Sequence, residues 1–408
     1  MIHPQEVQAK MFQESAVLEV GQEARAAETP VSSLPASRWS GRIPGLDGVR
    51  ALSFILVFLS HMGFMGSRPG GFAVSVFFLL SGYLITSLLL REHHKTGKIS
   101  LRAFYIRRTL RIFPSMYATL IICALLVRWH VLRTPLNATA ATFEALYLEN
   151  YAFWWQLSSG HHSFYVDGTG HFWSLCIEEH FYLLFPLLLL VLLRKKLSFD
   201  KISKTLLAFC LVVLAWRFVA VRIMPLGEEY CYSATDCRLD SILWGCLLAT
   251  IEHQDGWRKW FTYNRLLWIF PFAVALLAST FIFHDTGRMT FRFTLQAIAL
   301  MPILYLVTHF PESWLSRPLN HPVLVHLGVL SYALYLVHGA VIEIVNQHVH
   351  ATRIVLWPVA GIIVYLAALA LHWSVERPFL RLRTRQKPAR PEHDSVEPAS
   401  KEMRPSTS

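Results

Sequence analysis

Residues 46–61 read LDGVRALSFILVFLSH, an apolar run that carries a guanidinium near its start, Arg50, and an imidazole at its end, His61. Eleven residues at about 100° each overshoot three turns by only ~20°, so in a helix Arg50 and His61 stack on one face about 16 Å apart. With Arg50 at a membrane surface, His61 lies close to the middle of a hydrocarbon core about 30 Å thick. An ionisable side chain at that depth is costly and marks a candidate functional site. Asp47, one turn before Arg50, is placed to orient it.

The rest of the chain supports a membrane setting. Of its 408 residues 54% are hydrophobic and 13% aromatic, with a mean hydropathy of +0.39, which describes membrane spans rather than a soluble core. The net charge of +11 would suggest nucleic acid in a soluble protein. Here it reads as cytoplasmic loops beside a bilayer, because Lys and Arg gather in particular loops, and no nucleic-acid partner is expected. Apolar runs near 48–66, 70–91, 113–130, 172–193, 204–223, 238–252, 265–283, 292–309, 322–345 and 354–372 predict an all-α polytopic membrane protein with about ten transmembrane helices over residues 43–380. The stretch Glu144–Trp155 is too polar at both ends for another span and reads as interfacial, with Trp154 and Trp155 at headgroup depth.

Residues 1–42 lack an apolar run and read as a disordered tail without a cleavable signal, and 381–408 read as a basic disordered tail. The loop after the second run carries Arg91, Lys95, Lys98, Arg102, Arg107, Arg108 and Arg111; the loop after the fourth and the segment from Arg377 onward are also basic. The long loop between the third and fourth runs offers Arg133 against Glu144, Glu149 and Asp167. Both termini are therefore expected in the cytoplasm. No repeat relating the two halves is visible, which lowers a transporter reading without removing it.

Four cysteines (Cys123, Cys176, Cys210 and Cys246) fall in apolar runs and read as small core residues. Cys231 and Cys237 share a polar loop and pair only if that loop faces an oxidising compartment. No Cys and His spacing suits a metal.

Two further constellations carry chemistry. Arg108 and Arg111, in FYIRRTLRIFPSMY, are three apart, so on a helix their guanidinium groups point the same way and can clamp a polyanion; the plain alternative is a positive loop on lipid headgroups. In HFWSLCIEEHFYLLFP, His171, Ser174, Glu178 and Tyr182 form one helical stripe. Glu178 then lies about 9 Å below the outer surface and His61 about 14 Å, so the two are candidate partners. A neutral imidazole suits a general base. Glu179 has a weaker claim. Arg238 and Asp240, opening the sixth run, read as architectural charges that pair with other intramembrane charges, His338 as a packed histidine, and Glu376 as the end of the last span. The sequon at Asn137 matters only in a secretory-pathway host.

These blocks, with SVFFLLSGYLITSLLL, CRLDSILWG, LSYALYLVH and VERPF, stand in an order that resembles the acyltransferase-3 family of integral membrane proteins, from about Ile43 to Phe379. The resemblance implies transfer of an acyl group, acetyl first among them, to a hydroxyl of a carbohydrate, glycolipid or other envelope acceptor. It implies acyl-CoA as donor substrate, with no permanently bound cofactor, and a place in a bacterial inner membrane. By that likeness His61 and Glu178 are catalytic, Arg50, Arg108 and Arg111 bind acyl-CoA, and Trp173 and Ser174 support them, beside Asp47 and Tyr182, whose supporting place is read from helical spacing. His180 stands where the family more often has Gln. Some members carry a further hydrolase-like domain that this sequence lacks, so the chain is expected to finish the transfer or hand it to another protein. The competing reading is a proton-coupled transporter or flippase using the same intramembrane His and carboxylate.

Overall fold

Among the residues described in the computed structural model (43–385 apart from 65, 135, 153–164, 225, 283–284 and 350–351) ten longer helices occupy the ten apolar runs in order. They are α1 (Leu46–His61), α2 (Ser67–Thr96), α3 (Leu101–Arg128), α4 (Trp173–Arg194), α5 (Phe199–Arg222), α6 (Thr235–Ile251), α7 (Tyr263–Ser279), α8 (Arg292–His309), α9 (Pro322–His348) and α10 (Arg353–Leu371). Local chemistry sets their ends. Ser100 and Ser198 cap α3 and α5 by accepting from the amides of Ala103 and Lys201, which satisfies otherwise orphaned N–H groups. Gly97, at φ 68°, closes α2 in the left-handed conformation that glycine adopts without strain.

Six of these helices are long and apolar enough to cross a membrane: α2, α3, α4, α5, α9, and α10 with its continuation to Leu382. The other four fall short of the expected ten spans by that measure. Helix α1 is the clearest correction, because it stops at His61 where the apolar run suggested residue 66. Its 16 residues give about 24 Å, less than a hydrocarbon core. At the other end the chain does not stop at Glu376. Residues His372–Glu376 form a π-turn in which the His372 ring is 2.7 Å from Glu376, and the helix resumes over Arg377–Arg385, into the stretch expected to be a disordered tail. Trp154, Trp155, residues 1–42 and residues 386–408 lie outside the described residues.

Helix α6 is the hub, buried along almost its whole length and packed against α2, α5 and α8. It crosses α2 at Gly82 and Gly245, where a Cβ on either would run into the other helix's backbone, the close approach that small residues permit between membrane helices. Gly328 on α9 meets the Asp47 carbonyl on α1 in the same way. All six cysteines are free and buried, Cys231 and Cys237 included.

The architecture also supplies the intramembrane partner that the sequence reading expected for Asp240. Asp240 pairs with Arg217 of α5: Nη1 and Nη2 of Arg217 donate to its two carboxylate oxygens at 2.9 and 2.8 Å, and both residues are 0% exposed. Thr294 donates to the same carboxylate, and Arg217 also reaches the carbonyls of Thr290 and Cys237. Arg238 instead lies over the Phe293 ring at 3.6 Å. Removing one member of a buried pair strands the other, so Asp240→Ala is expected to cost about 3–5 kcal/mol, read as a lower unfolding temperature in detergent. Replacing both Arg217 and Asp240 by Leu is expected to recover most of that loss.

Candidate functional site

Arg50 leaves α1 near its start and enters a cavity of about 100 Å³ with Arg108 and Arg111 of α3, so the two-arginine spacing brings both guanidinium groups to one place. Arg107 points elsewhere, to Glu92 at 3.1 Å. Asp47 holds Arg50 at 3.4 Å, as its position one turn away suggested. Ser174, Glu178 and Tyr182 of α4 line the same cavity. The Glu178 carboxylate accepts from Ser81 at 2.8 Å and from Tyr182 at 2.9 Å, and it faces Arg108 and Arg50 electrostatically. The Arg108 guanidinium lies 5.1 Å from the Tyr182 ring centre. Three guanidinium groups line this cavity together with Glu178 and Glu179, and planar guanidinium forks suit phosphate or carboxylate oxygens.

His61 opens into a second, larger cavity of about 520 Å³ at the other end of α1. Polar and aromatic groups line it, among them Asp167, Glu343, Asn346, Tyr165, Trp173 and Tyr232. The ring is exposed toward this space. Its Nδ1 lies 2.8 Å from Nε2 of His338, which in turn sits 2.6 Å through Nδ1 from the Tyr335 carbonyl oxygen. His171 reaches the same carbonyl at 2.7 Å, and its ring centre is 4.2 Å from that of His338.

The two cavities meet at one wall. Trp173 lines the histidine cavity and Ser174 the basic one; Gly71 and Val74 on α2, and Gly339 and Tyr335 on α9, divide in the same way one turn apart. Within the wall the Tyr335 hydroxyl is 2.7 Å from the Ser174 hydroxyl and donates to the His171 carbonyl at 3.0 Å. A group bound by the arginines and a group bound beside His61 therefore approach from opposite ends of the bundle.

The structure separates residues that the sequence reading joined. His61 contacts His338, whereas Glu178 belongs to the basic cavity with the arginines. His171 does not continue the stripe of Ser174, Glu178 and Tyr182, because α4 begins only at Trp173 and His171 turns toward α9. Ser81 and Tyr335 were not singled out; the only available signal for Tyr335 was its place three residues before His338 on a helical period. Among the described residues no group of His, Cys, Asp and Glu is arranged to hold a metal.

The loop leading to His171 is held from below by Glu144, at the end of the short helix Ala138–Ala145. One Glu144 oxygen accepts from the Val166 amide at 2.6 Å and the Thr169 hydroxyl at 2.8 Å. Glu144 and Glu149 are both buried within the protein. Burial pushes the Glu144 carboxyl up to about 7.

The acyltransferase domain family (Acyl_transf_3) matches residues 43–375. The chain is 32% identical over 361 residues to O-acetyltransferase OatA of Staphylococcus aureus strain NCTC 8325 / PS 47, covering 85% of this chain and 57% of that protein. It is 31% identical over 329 residues to a putative O-acetyltransferase of S. aureus strain COL, covering 75% of this chain and 52% of that one. The chain thus spans a little over half the length of the curated relatives it matches. No solved structure matches it.

The raised Glu144 carboxyl generates a pH dependence. An acid that holds its proton more tightly folded than unfolded contributes fully below the ordinary carboxylate range, and that contribution is lost as pH rises toward about 7. The unfolding temperature of wild type relative to Glu144→Gln is therefore expected to fall between pH 5 and pH 7.5, with the amide variant keeping the acceptor for Val166 and Thr169.

Proposed function

The chain belongs to the acyltransferase-3 family, and from that premise we propose that it is a membrane O-acyltransferase, moving an acetyl or similar acyl group from cytoplasmic acyl-CoA to a hydroxyl of an extracytoplasmic carbohydrate or other envelope acceptor. The observation that carries this reading is the meeting of two chemically different cavities at one wall, arginine-rich on one side and histidine-lined on the other. The basic loops that flank α2, α3 and α4 support a cytoplasmic position for the arginine side. In this orientation α1, α6, α7 and α8 complete a ten-helix bundle, with α6 enclosed by α2, α5 and α8.

The donor's phosphates sit at the mouth formed by Arg50, Arg108 and Arg111, and its thin pantetheine arm runs inward along the Ser174–Tyr335 wall toward His61. Glu178, bonded to Ser81 and Tyr182, offsets part of the arginine charge and fixes where the guanidinium groups point. The acceptor enters the larger cavity, where aromatic rings and carboxylates suit a polyhydroxyl compound. His61 takes the proton of the attacking hydroxyl as its oxygen bonds to the thioester carbon. The C–S bond then breaks, and the departing sulfur takes the proton from His61. A route in which His61 itself carries the acyl group between two half-reactions uses the same residues.

Membranes containing the protein are expected to transfer label from acyl-labelled acetyl-CoA, and envelope glycans from expressing cells to gain an acetyl mass. His61→Ala should abolish both while protein still reaches the membrane; full transfer by that variant removes His61 from the chemistry. Movement of an unmodified substrate across vesicles without acetyl-CoA would instead favour a transporter. Arg108→Ala is expected to raise KM for acetyl-CoA by about tenfold with a smaller change in kcat, because it removes a contact made before and during the reaction alike.

A further inference from the structure

The histidine cluster contains a hydrogen-bond chain whose direction is fixed at one end. The Tyr335 carbonyl oxygen has no hydrogen to give, so His338 Nδ1, 2.6 Å away, must carry the ring hydrogen of a neutral imidazole. His338 Nε2 is then a bare lone pair. His61 Nδ1 lies 2.8 Å from it and donates, which leaves His61 Nε2 without a hydrogen. The two rings are only 8° from parallel, with centres 5.0 Å apart, so the bond between them lies close to both ring planes.

We infer that His338 is a positioning residue that holds His61 in the tautomer a general base needs, with the Tyr335 carbonyl as its anchor. This rests on the reading of His61 as the base. The role that a carboxylate plays behind the base of many hydrolases falls here to a second neutral imidazole, since Glu178 is engaged with Ser81 and Tyr182. His171 reinforces the anchor. Its Nε2 must likewise carry hydrogen to meet the same carbonyl, and its ring flanks His338. Full burial of His338 keeps competing water from the chain, whereas His61 opens to the cavity.

The test is a nitrogen NMR measurement on ¹⁵N-histidine-labelled full-length protein in nanodiscs, with the His61 signals assigned by their loss in His61→Gln. Wild-type His61 is expected as the Nδ1–H tautomer; an Nε2–H tautomer overturns the inference, and this measurement needs no His338 variant to fold. His338→Phe removes the acceptor. It is expected to release His61 from the Nδ1–H form and lower kcat on the order of 10²-fold, with KM for acetyl-CoA within about twofold of wild type. His338→Gln offers both an acceptor for His61 and a donor for the Tyr335 carbonyl, and should recover about a tenth of wild-type kcat or more. Equal losses in the Phe and Gln variants with an unchanged His61 tautomer would reduce His338 to packing and overturn the inference. Full transfer by His61→Ala, in contrast, removes the base reading while leaving the tautomer result intact, so the two failures are distinguishable.

Discussion

One peptide oxygen, the Tyr335 carbonyl, ties together the parts of this bundle that carry its chemistry. It meets His338 of its own helix and His171 from the entry to α4, and through His338 it fixes His61 at the end of α1. The side chain of the same residue binds Ser174 and the His171 carbonyl. Segments far apart in sequence are thereby held at one level, and the closeness of α1 to α9 that this requires is set where Gly328 admits the Asp47 carbonyl. In a low-dielectric interior such a network is rigid when its members are satisfied and costly when one is lost.

The bundle keeps two kinds of buried charge apart. Arg217 and Asp240 neutralise each other at the junction of α5, α6 and α8, with every direction of the guanidinium answered by protein. Their role ends in the architecture. Arg50, Arg108 and Arg111 stand instead around an opening, with Glu178 tied to hydroxyls rather than closed upon any one of them. The difference lies in geometry more than in residue type, for both sets are arginines facing carboxylates.

What the sequence made legible was local. The all-helical class, the ten apolar runs and the faces shared by Arg108 with Arg111 and by Ser174 with Glu178 and Tyr182 all follow from a period of 3.6 residues and from hydropathy. Contacts made across the bundle were not legible. His338 meets His61 across 277 positions of chain, and no periodicity links them; Glu178 was assigned to His61 because depth was estimated without knowing which cavity each residue entered. The span count also depended on where helices end. The turn at Met62–Gly63, where Gly63 has a φ of 76°, ends α1 inside its apolar run. Arg217 passed unremarked in the fifth run because a lone arginine there has no local partner to reveal it.

The wall of Ser174 and Tyr335 has an electrical consequence. It stands between two polar hollows that enter the bundle from opposite ends, in a protein built of membrane-spanning helices. Each elementary charge moved through the full potential releases about 2.3 kcal/mol per 100 mV, so a continuous file of water at this point would discharge the gradient across the membrane. In the orientation proposed above, the hydroxyl pair 2.7 Å apart stands where such a file of water would run, and an acyl group that crosses the wall has to fill the gap it opens.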